Sequence, residues 1–191
     1  MRNTETKLNQ RVLLTKEMIH RAFLKLLQEK SIHRIAIREL CERAGINRTT
    51  FYNHYGSQYE VLSEIADSYL SDIDRTMESV ELKNREDVHS RVTLVLQYME
   101  DNLSLSRLLL HSDLGEDFVP RLFSLPKIEN LLDEALRDVA DEQARRAAMD
   151  FAIYGSYKLL QDWIAEDRRI SAEDEARLIL QLARRVCRES A

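Results

Sequence analysis

Residues 37–55 read IRELCERAGINRTTFYNHY, and they carry the clearest structural signal in the first part of the chain. Gly45 follows a short helical pattern over 38–44, as a glycine does just beyond the end of a helix. Asn47 is a good N-cap for a second short helix that runs to about His54. Two short helices joined by a tight turn form a helix-turn-helix, whose second helix enters the major groove of DNA.

The side chains at the start of that second helix have the chemistry to read base edges. Arg48 can donate two hydrogen bonds to guanine, and the methyl groups of Thr49 and Thr50 can meet thymine. Three apolar residues would hold the two helices together: Leu40, Ile46 and Phe51. The stretch therefore predicts a DNA-binding module.

Residues 15–62 resemble the DNA-binding domain of the TetR/AcrR family of transcriptional regulators. The resemblance is carried by residues 37–55 and by GSQYEVL at 56–62, with a predicted helix upstream. The family usually has Lys where this chain has Gln58, and that lysine commonly approaches a phosphate. The resemblance implies that Arg38, Arg48, Thr49 and Asn53 face the groove and that Thr50, Tyr52 and His54 contact the backbone. We also place Asn47 and Gln58 in the predicted DNA-binding set.

The composition predicts an all-α fold. Only 4 Gly and 2 Pro occur in 191 residues, which leaves little turn chemistry for a β-rich protein. Helical periodicity predicts about nine helices, beginning with one over 16–29 that Thr15 caps and that follows a flexible arm at 1–14. Long helices are predicted from Gln58 to about Val80 and over 141–166, and Ser171 is predicted to cap the last helix.

The charge is divided unevenly along the chain. Residues 1–57 hold 11 Lys and Arg against 5 Asp and Glu, whereas residues 58–191 hold 17 against 28. A basic first part and an acidic second part indicate that only the first part meets a polyanion. We therefore predict a DNA-binding domain at 1–57 and a helical regulatory and dimerisation domain at 58–191.

We expect a cytoplasmic protein without cofactor or metal. No apolar run approaches the roughly 18 residues of a membrane span, and the N-terminus lacks a signal-peptide core. Cys41 and Cys187 lie far apart and have no metal-ligand spacing. An enzyme is not expected, because the sequence has no phosphate-binding glycine loop, nucleophile elbow, paired-cysteine motif or His-Glu-x-x-His.

For residues 58–191 we predict a dimer interface and, less directly, a pocket for a small effector. Its last two helices would pair with their copies, as the family resemblance implies, since 141–166 is apolar on more than one face. The predicted interface residues are Phe151, Tyr154, Trp163, Leu178, Ile179, Leu182 and Val186. The candidate pocket residues, each of which can equally be plain core, are Tyr69, Met77, Tyr98, Phe118, Phe151 and Tyr154.

These observations predict a transcriptional regulator that binds a palindromic operator on double-stranded DNA as a homodimer. Repression is the mode expected from the family, with release by a small molecule. The alternative is an effector-independent co-activator or adaptor that works through protein partners.

Overall fold

The structure, a computed structural model, describes residues 2–111, 115–136, 139–165 and 170–188. These residues form ten α-helices and two short 3₁₀ turns, with no strand, so the all-α prediction is confirmed and the helix count is one higher than expected. The helices are α1 Arg2–Glu29, α2 Ile37–Ala44, α3 Arg48–Tyr52, α4 Gln58–Thr76, α5 Arg85–Asp101, α6 Leu103–His111, α7 Gly115–Phe123, α8 Pro126–Ala135, α9 Glu142–Ala165 and α10 Ala172–Arg188.

The chain forms two compact units, one up to Ser68 and one from Tyr69 onward. The division falls within the helix α4 and not in a linker between two helices. The boundary predicted between residues 57 and 58 stays a prediction.

The core of the first unit is built from α1, α2 and α3. Ile19, Phe23 and Leu26 line one face of α1 at helical spacing, and all three are fully buried. This face packs on α2, whose Leu40 is also fully buried. The amphipathic pattern of α1 thus fixes the platform on which the helix-turn-helix rests.

The predicted flexible arm at 1–14 is wrong, because α1 begins at Arg2. Thr15 does not cap a helix start. Its Oγ1 donates a hydrogen bond to the carbonyl oxygen of Arg11, at 2.8 Å, one helical turn back. A threonine within a helix commonly makes this bond, so the residue type alone did not mark a boundary.

The second unit is a helical body in which α10 packs on α5 and α9, and α6 packs on α9. Local signals set two helix starts, of which the one at Ser171 was predicted. Asn84 and Asp87 form a capping box at the start of α5, and the Ser171 Oγ accepts a hydrogen bond from the Asp174 N–H. Among the described residues, no helix is both long and apolar enough to cross a membrane.

Candidate nucleic-acid interface and body cavities

The turn between α2 and α3 is fixed by Gly45, which has a φ of 69° and a ψ of 29°. The Gly45 N–H donates to the carbonyl oxygen of Glu42 at 3.3 Å, and the Ile46 N–H donates to that of Cys41 at 3.0 Å. This pair of bonds is a Schellman motif, which satisfies carbonyl groups left open at a helix end. The motif ends α2 and sets the direction in which α3 begins.

The start of α3 is fixed by Asn47, whose Oδ1 accepts a hydrogen bond from the Thr50 N–H at 2.7 Å. Phe51 faces inward and is fully buried. The centroid of its ring lies 5.9 Å from that of the buried Tyr55 and 5.5 Å from that of Tyr52. One aromatic side chain therefore anchors the short helix to the core and leaves the opposite face open to solvent.

The open face of α3 brings together four of the predicted DNA-binding residues. Arg48, Thr49, Tyr52 and Asn53 are all exposed. Their spacing of one, four and five residues places them on one side of a helix with 3.6 residues per turn. Arg48 has no ion-pair partner among the residues that the structure describes, so its guanidinium is available to an incoming ligand.

The other predicted contacts lie around this face. Arg38 projects from α2, and its Nε lies 3.0 Å from Oε1 of Glu42, in a well-exposed pair that is cheap to break. Thr50, His54 and Gln58 are half-buried. The Asn47 side chain is engaged in capping α3, so it would contact DNA only with its remaining atoms.

Tyr59 and His33 form an exposed pair beside this face that no strong sequence signal predicts. The Tyr59 hydroxyl lies 2.8 Å from Nδ1 of His33, and both residues are exposed. Tyr59 is the second residue of α4, next to Gln58. The only hint in the sequence was an aromatic hydroxyl at a helix start near the family's lysine position.

A partly buried polar cluster lies next to Tyr55, at the C-terminal end of the helix-turn-helix. Nε2 of His20 lies 2.8 Å from the Tyr55 hydroxyl, and Nζ of Lys16 lies 2.7 Å from Oε2 of Glu64. Burial lowers the pKa of His20, and nearby Lys16 lowers it further, against the opposing effect of Glu64. Burial also raises the pKa of Tyr55, so its hydroxyl stays protonated. The cluster joins α1, α4 and the residue after α3 within the first unit.

The candidate effector residues of the body do not form one site. Tyr69 and Met77 are buried, and the Tyr69 hydroxyl lies 2.5 Å from Oγ of Ser106. The Tyr98 hydroxyl donates to Asp72 at 3.0 Å, and burial together with this bond raises the pKa of Tyr98 to about 12. The Phe118 ring packs 5.9 Å from that of Tyr69.

The body instead contains a small apolar cavity and an adjoining surface groove. The cavity measures about 90 Å³ and the groove about 690 Å³. Of the six candidate pocket residues, Tyr154 lines the groove and none lines the cavity. The cavity wall is formed by Val92, Val95, Leu96, Met99, Leu122, Phe123, Ile128, Leu131, Leu132, Leu136, Ala152, Ser156, Leu160, Ile179, Leu180 and Ala183.

The predicted interface residues divide into exposed and buried ones. Four are exposed apolar side chains on the two last helices: Phe151 at 58%, Tyr154 at 70%, Leu178 at 38% and Leu182 at 40%. Trp163 and Ile179 are buried within the protomer, and the Trp163 Nε1 donates to the Ile170 carbonyl at 3.2 Å. Val186 lies outside the residues whose side chains are described.

Two family profiles match the chain. The profile described as "Transcriptional regulator C-terminal region" matches residues 86–185. The profile described as "Bacterial regulatory proteins, tetR family" matches residues 19–65, which contain the whole helix-turn-helix.

Individual relatives agree with these profiles. The HTH-type dhaKLM operon transcriptional activator DhaS of Lactococcus lactis subsp. lactis (strain IL1403) is 26% identical over 129 residues, which are 66% of this chain and 63% of that protein. The chain thus spans less than two thirds of the length of this curated relative. Among solved structures, a TetR transcriptional regulator from Streptococcus agalactiae 2603V superposes with a TM-score of 0.74 at 21% identity, covering 94% of this chain and 98% of that one. The dihydroxyacetone kinase operon activator DhaS gives 0.59 at 20%, covering 93% and 98%.

Proposed function

The chain belongs to the TetR family of bacterial regulatory proteins, which are DNA-binding transcriptional regulators, and on that premise we propose that it represses transcription as an operator-bound homodimer released by a small effector. The observation that carries the proposal is the open face of α3. Phe51 is fully buried beneath it, and Arg48 has no ion-pair partner among the described residues. This is the geometry of a recognition helix.

Base reading would rest on Arg48, with Thr49, Tyr52 and Asn53 beside it on the same face. A guanidinium can donate two hydrogen bonds to one guanine, which distinguishes that base from the other three. Because the cap at Asn47 fixes the first turn of α3, the backbone of Arg48 is in place before DNA arrives. We therefore expect the ordering cost of this contact to come mainly from the Arg48 side chain.

Dimerisation is proposed from the exposed apolar side chains of α9 and α10. Phe151, Tyr154, Leu178 and Leu182 place large apolar groups in water in the protomer, an arrangement that marks an interaction surface. One five-residue recognition helix reads few base pairs, and two copies about 34–36 Å apart would grip two half-sites one turn apart. The proposal rests on these four residues rather than on the buried Trp163 and Ile179.

Effector control would act through α4, the helix that begins in the first unit and ends in the second. Its C-terminal half is held by polar contacts from the body. The Tyr98 hydroxyl donates to Asp72, and Nζ of Lys127 donates to Oδ2 of Asp74 at 2.7 Å. Tyr98 and Lys127 directly precede Met99 and Ile128, which line the apolar cavity. A ligand that moves the cavity wall would therefore pull on α4.

Repression would follow if the bound dimer blocks access to the promoter. Activation is the second candidate, and the similarity to DhaS, whose name describes a transcriptional activator, favours it. In vitro transcription from the promoter upstream of the protein's own gene separates the two. Repression predicts less transcript as protein is added, whereas activation predicts more.

DNA binding is tested by fluorescence anisotropy on the duplex upstream of the gene, with a scrambled duplex as the control and with salt varied. We expect tight binding to the first duplex only, which weakens steeply with salt. Arg48→Ala should weaken specific binding by about 1–3 kcal/mol. Arg75→Ala removes the same charge from the second unit, where the residue is paired with Asp72, and should leave the affinity unchanged. Equal losses in both variants would contradict base reading by Arg48, and equal weak binding to both duplexes would favour the protein-partner alternative.

The proposed dimer is tested by light scattering. Leu178→Glu with Leu182→Glu should give monomers, because two carboxylates would lie in an apolar interface. The matched control is Leu13→Glu with Leu14→Glu, two exposed leucines of α1. If the double variant of α10 stays dimeric, the interface lies on another surface of the protein.

A further inference from the structure

The cavity and the groove of the second unit share two side chains. Phe123 and Leu132 line both spaces, and both are half-buried. They lie at the boundary between the cavity of about 90 Å³ and the groove of about 690 Å³ on α7, α8 and α9. The two spaces therefore adjoin at these side chains.

The interior space suits only an apolar group. Of the sixteen residues that line it, Ser156 alone has a polar side chain. A charge placed there would lose its hydration with nothing to replace it, so a charged head group is excluded. The volume is well below the roughly 300–1,000 Å³ of pockets that take a whole drug-sized ligand. This space is sized for part of a molecule, such as a short hydrocarbon tail.

The adjoining groove is lined by acidic side chains as well as apolar ones. Three carboxylates line it, and only Asp133 is paired, with Nη2 of Arg145 at 2.9 Å. Glu129 and Asp150 are exposed and have no ion-pair partner among the described residues. Tyr154 also lines this groove, but its ring belongs to the proposed dimer surface, so the head-group site rests on the carboxylates. Carboxylates attract an organic cation and repel an anion.

We infer that the body binds a small cationic amphiphile, with its apolar tail in the cavity beyond Phe123 and Leu132 and its cationic head in the groove near Glu129 and Asp150. The two spaces adjoin, so one molecule spans both. The regulatory meaning of this site rests on the proposed effector response, but the site itself does not. It differs from the pocket that residue types alone indicated, since Tyr69, Met77, Tyr98 and Phe118 line neither space.

The first test is calorimetric titration of the full-length protein, without DNA, with butylammonium, hexylammonium and octylammonium. Each buried methylene contributes about 0.8 kcal/mol, so affinity should rise about fourfold per methylene until the tail fills the cavity. Hexanoate has a tail of similar length and an anionic head. It should bind about tenfold more weakly than hexylammonium at low salt, and the difference should shrink as salt screens the groove. Equal affinities for the two would overturn the inference, as would an affinity that does not depend on tail length.

Variants locate the tail and the head separately. Ala152→Leu adds three carbons to the cavity wall and should abolish the gain with tail length, whereas Ala147→Leu makes the same change on the exposed side of α9. Glu129→Gln with Asp150→Asn leaves the cavity intact and should reduce the preference for ammonium over carboxylate at least fivefold. Glu17→Gln with Asp101→Asn removes two exposed charges elsewhere as its control. A groove variant that keeps the full preference would overturn the placement of the head.

Separate measurements test whether the body binds the cationic amphiphile and whether that binding changes the affinity for the operator. Hexylammonium added to the anisotropy experiment reports on the operator complex, while calorimetry reports on the cavity. Binding by calorimetry with an unchanged operator affinity would support the site and contradict effector release. Saturable methyl NMR shifts at Leu96 and Ile128 on adding hexylammonium are expected in the free protein, and their absence would overturn the inference even if DNA binding responds.

Discussion

The conformation of Gly45 gives the most direct test of how the sequence forms the turn between α2 and α3. It is the one residue with positive φ among those described, at 69°. A Cβ added there would meet nothing closer than Cε of Met18 at 3.9 Å, which is an ordinary contact. The cost of Gly45→Ala is therefore conformational rather than steric. An L-residue in the left-handed region costs about 1–2 kcal/mol, and we expect that loss in the free energy of unfolding.

Replacing glycine by alanine should raise the free energy of unfolding at Gly155, whereas it should lower it at Gly45. This residue lies within α9 and has an ordinary helical environment, where an added Cβ would lie 3.9 Å from Cε1 of Phe151. Gly155→Ala should therefore stabilise the protein by about 0.5–1 kcal/mol, because alanine loses less backbone entropy in a helix. Gly45→Asn should lower the free energy of unfolding less than Gly45→Ala does, since asparagine tolerates the left-handed region.

The assay is urea unfolding followed by circular dichroism, at one fixed protein concentration because the proposed dimerisation would add to the apparent stability. With a slope of about 1–3 kcal/mol per molar urea, Gly45→Ala should lower the midpoint by roughly 0.3–2 M. If the two units unfold separately, this variant shifts the transition of the first unit, and Gly155→Ala shifts that of the second. A Gly45→Ala protein as stable as the parent, or Gly45→Asn no better than alanine, would refute the reasoning.

Three further predictions concern single contacts. Tyr69→Phe removes the bond to the Ser106 hydroxyl, which itself donates to the Met99 carbonyl at 2.8 Å, and should cost about 1 kcal/mol in urea unfolding. Because burial lowers the pKa of His20, the unfolded chain binds a proton first as pH falls below about 6.5. Stability is therefore complete above that pH and declines below it, a decline that His20→Gln should reduce in unfolding midpoints taken across this range. Lys127→Met should cost at most about 1 kcal/mol at low salt, and the difference should shrink in about 1 M salt because the contact with Asp74 is partly exposed.

The helix-turn-helix could be predicted from the sequence because its signals are local. Gly45 ends α2 with a left-handed conformation, and Asn47 caps α3 through its own side chain. Both effects involve residues within five positions of each other, and each has a strong residue preference. The buried position of Phe51 follows from the same short pattern. Local chemistry therefore determines this module.

The start of α1 could not be predicted for the same reason. Thr15 has the residue type of a helix cap, but its Oγ1 bonds one turn back instead. The choice between these two bonds depends on whether the preceding residues are helical. In a polar stretch with few apolar residues, periodicity does not settle this.

The helices of the body could be predicted from the sequence, but the residues that line its cavity could not, because helical periodicity shows which face of a helix is buried and not which helix packs against it. Tyr69 and Phe118 were singled out as aromatic residues that can line a pocket, and they pack against each other instead. The cavity is lined mainly by Leu, Val, Ile and Ala, which any core contains. Only the packing of five helices shows that these ordinary side chains leave a space.

The two sides of α9 connect this space to the proposed dimer. Ala152 and Ser156 line the cavity, while Phe151 and Tyr154 are exposed on the same two turns. A tail that displaces the inner side of α9 would also move the outer side. By linkage, the factor by which a ligand changes dimer affinity equals the factor by which dimerisation changes ligand affinity. Hexylammonium titrations at protein concentrations below and above the dimer dissociation constant should therefore give different affinities, and equal values would show that the two sides of the helix act independently.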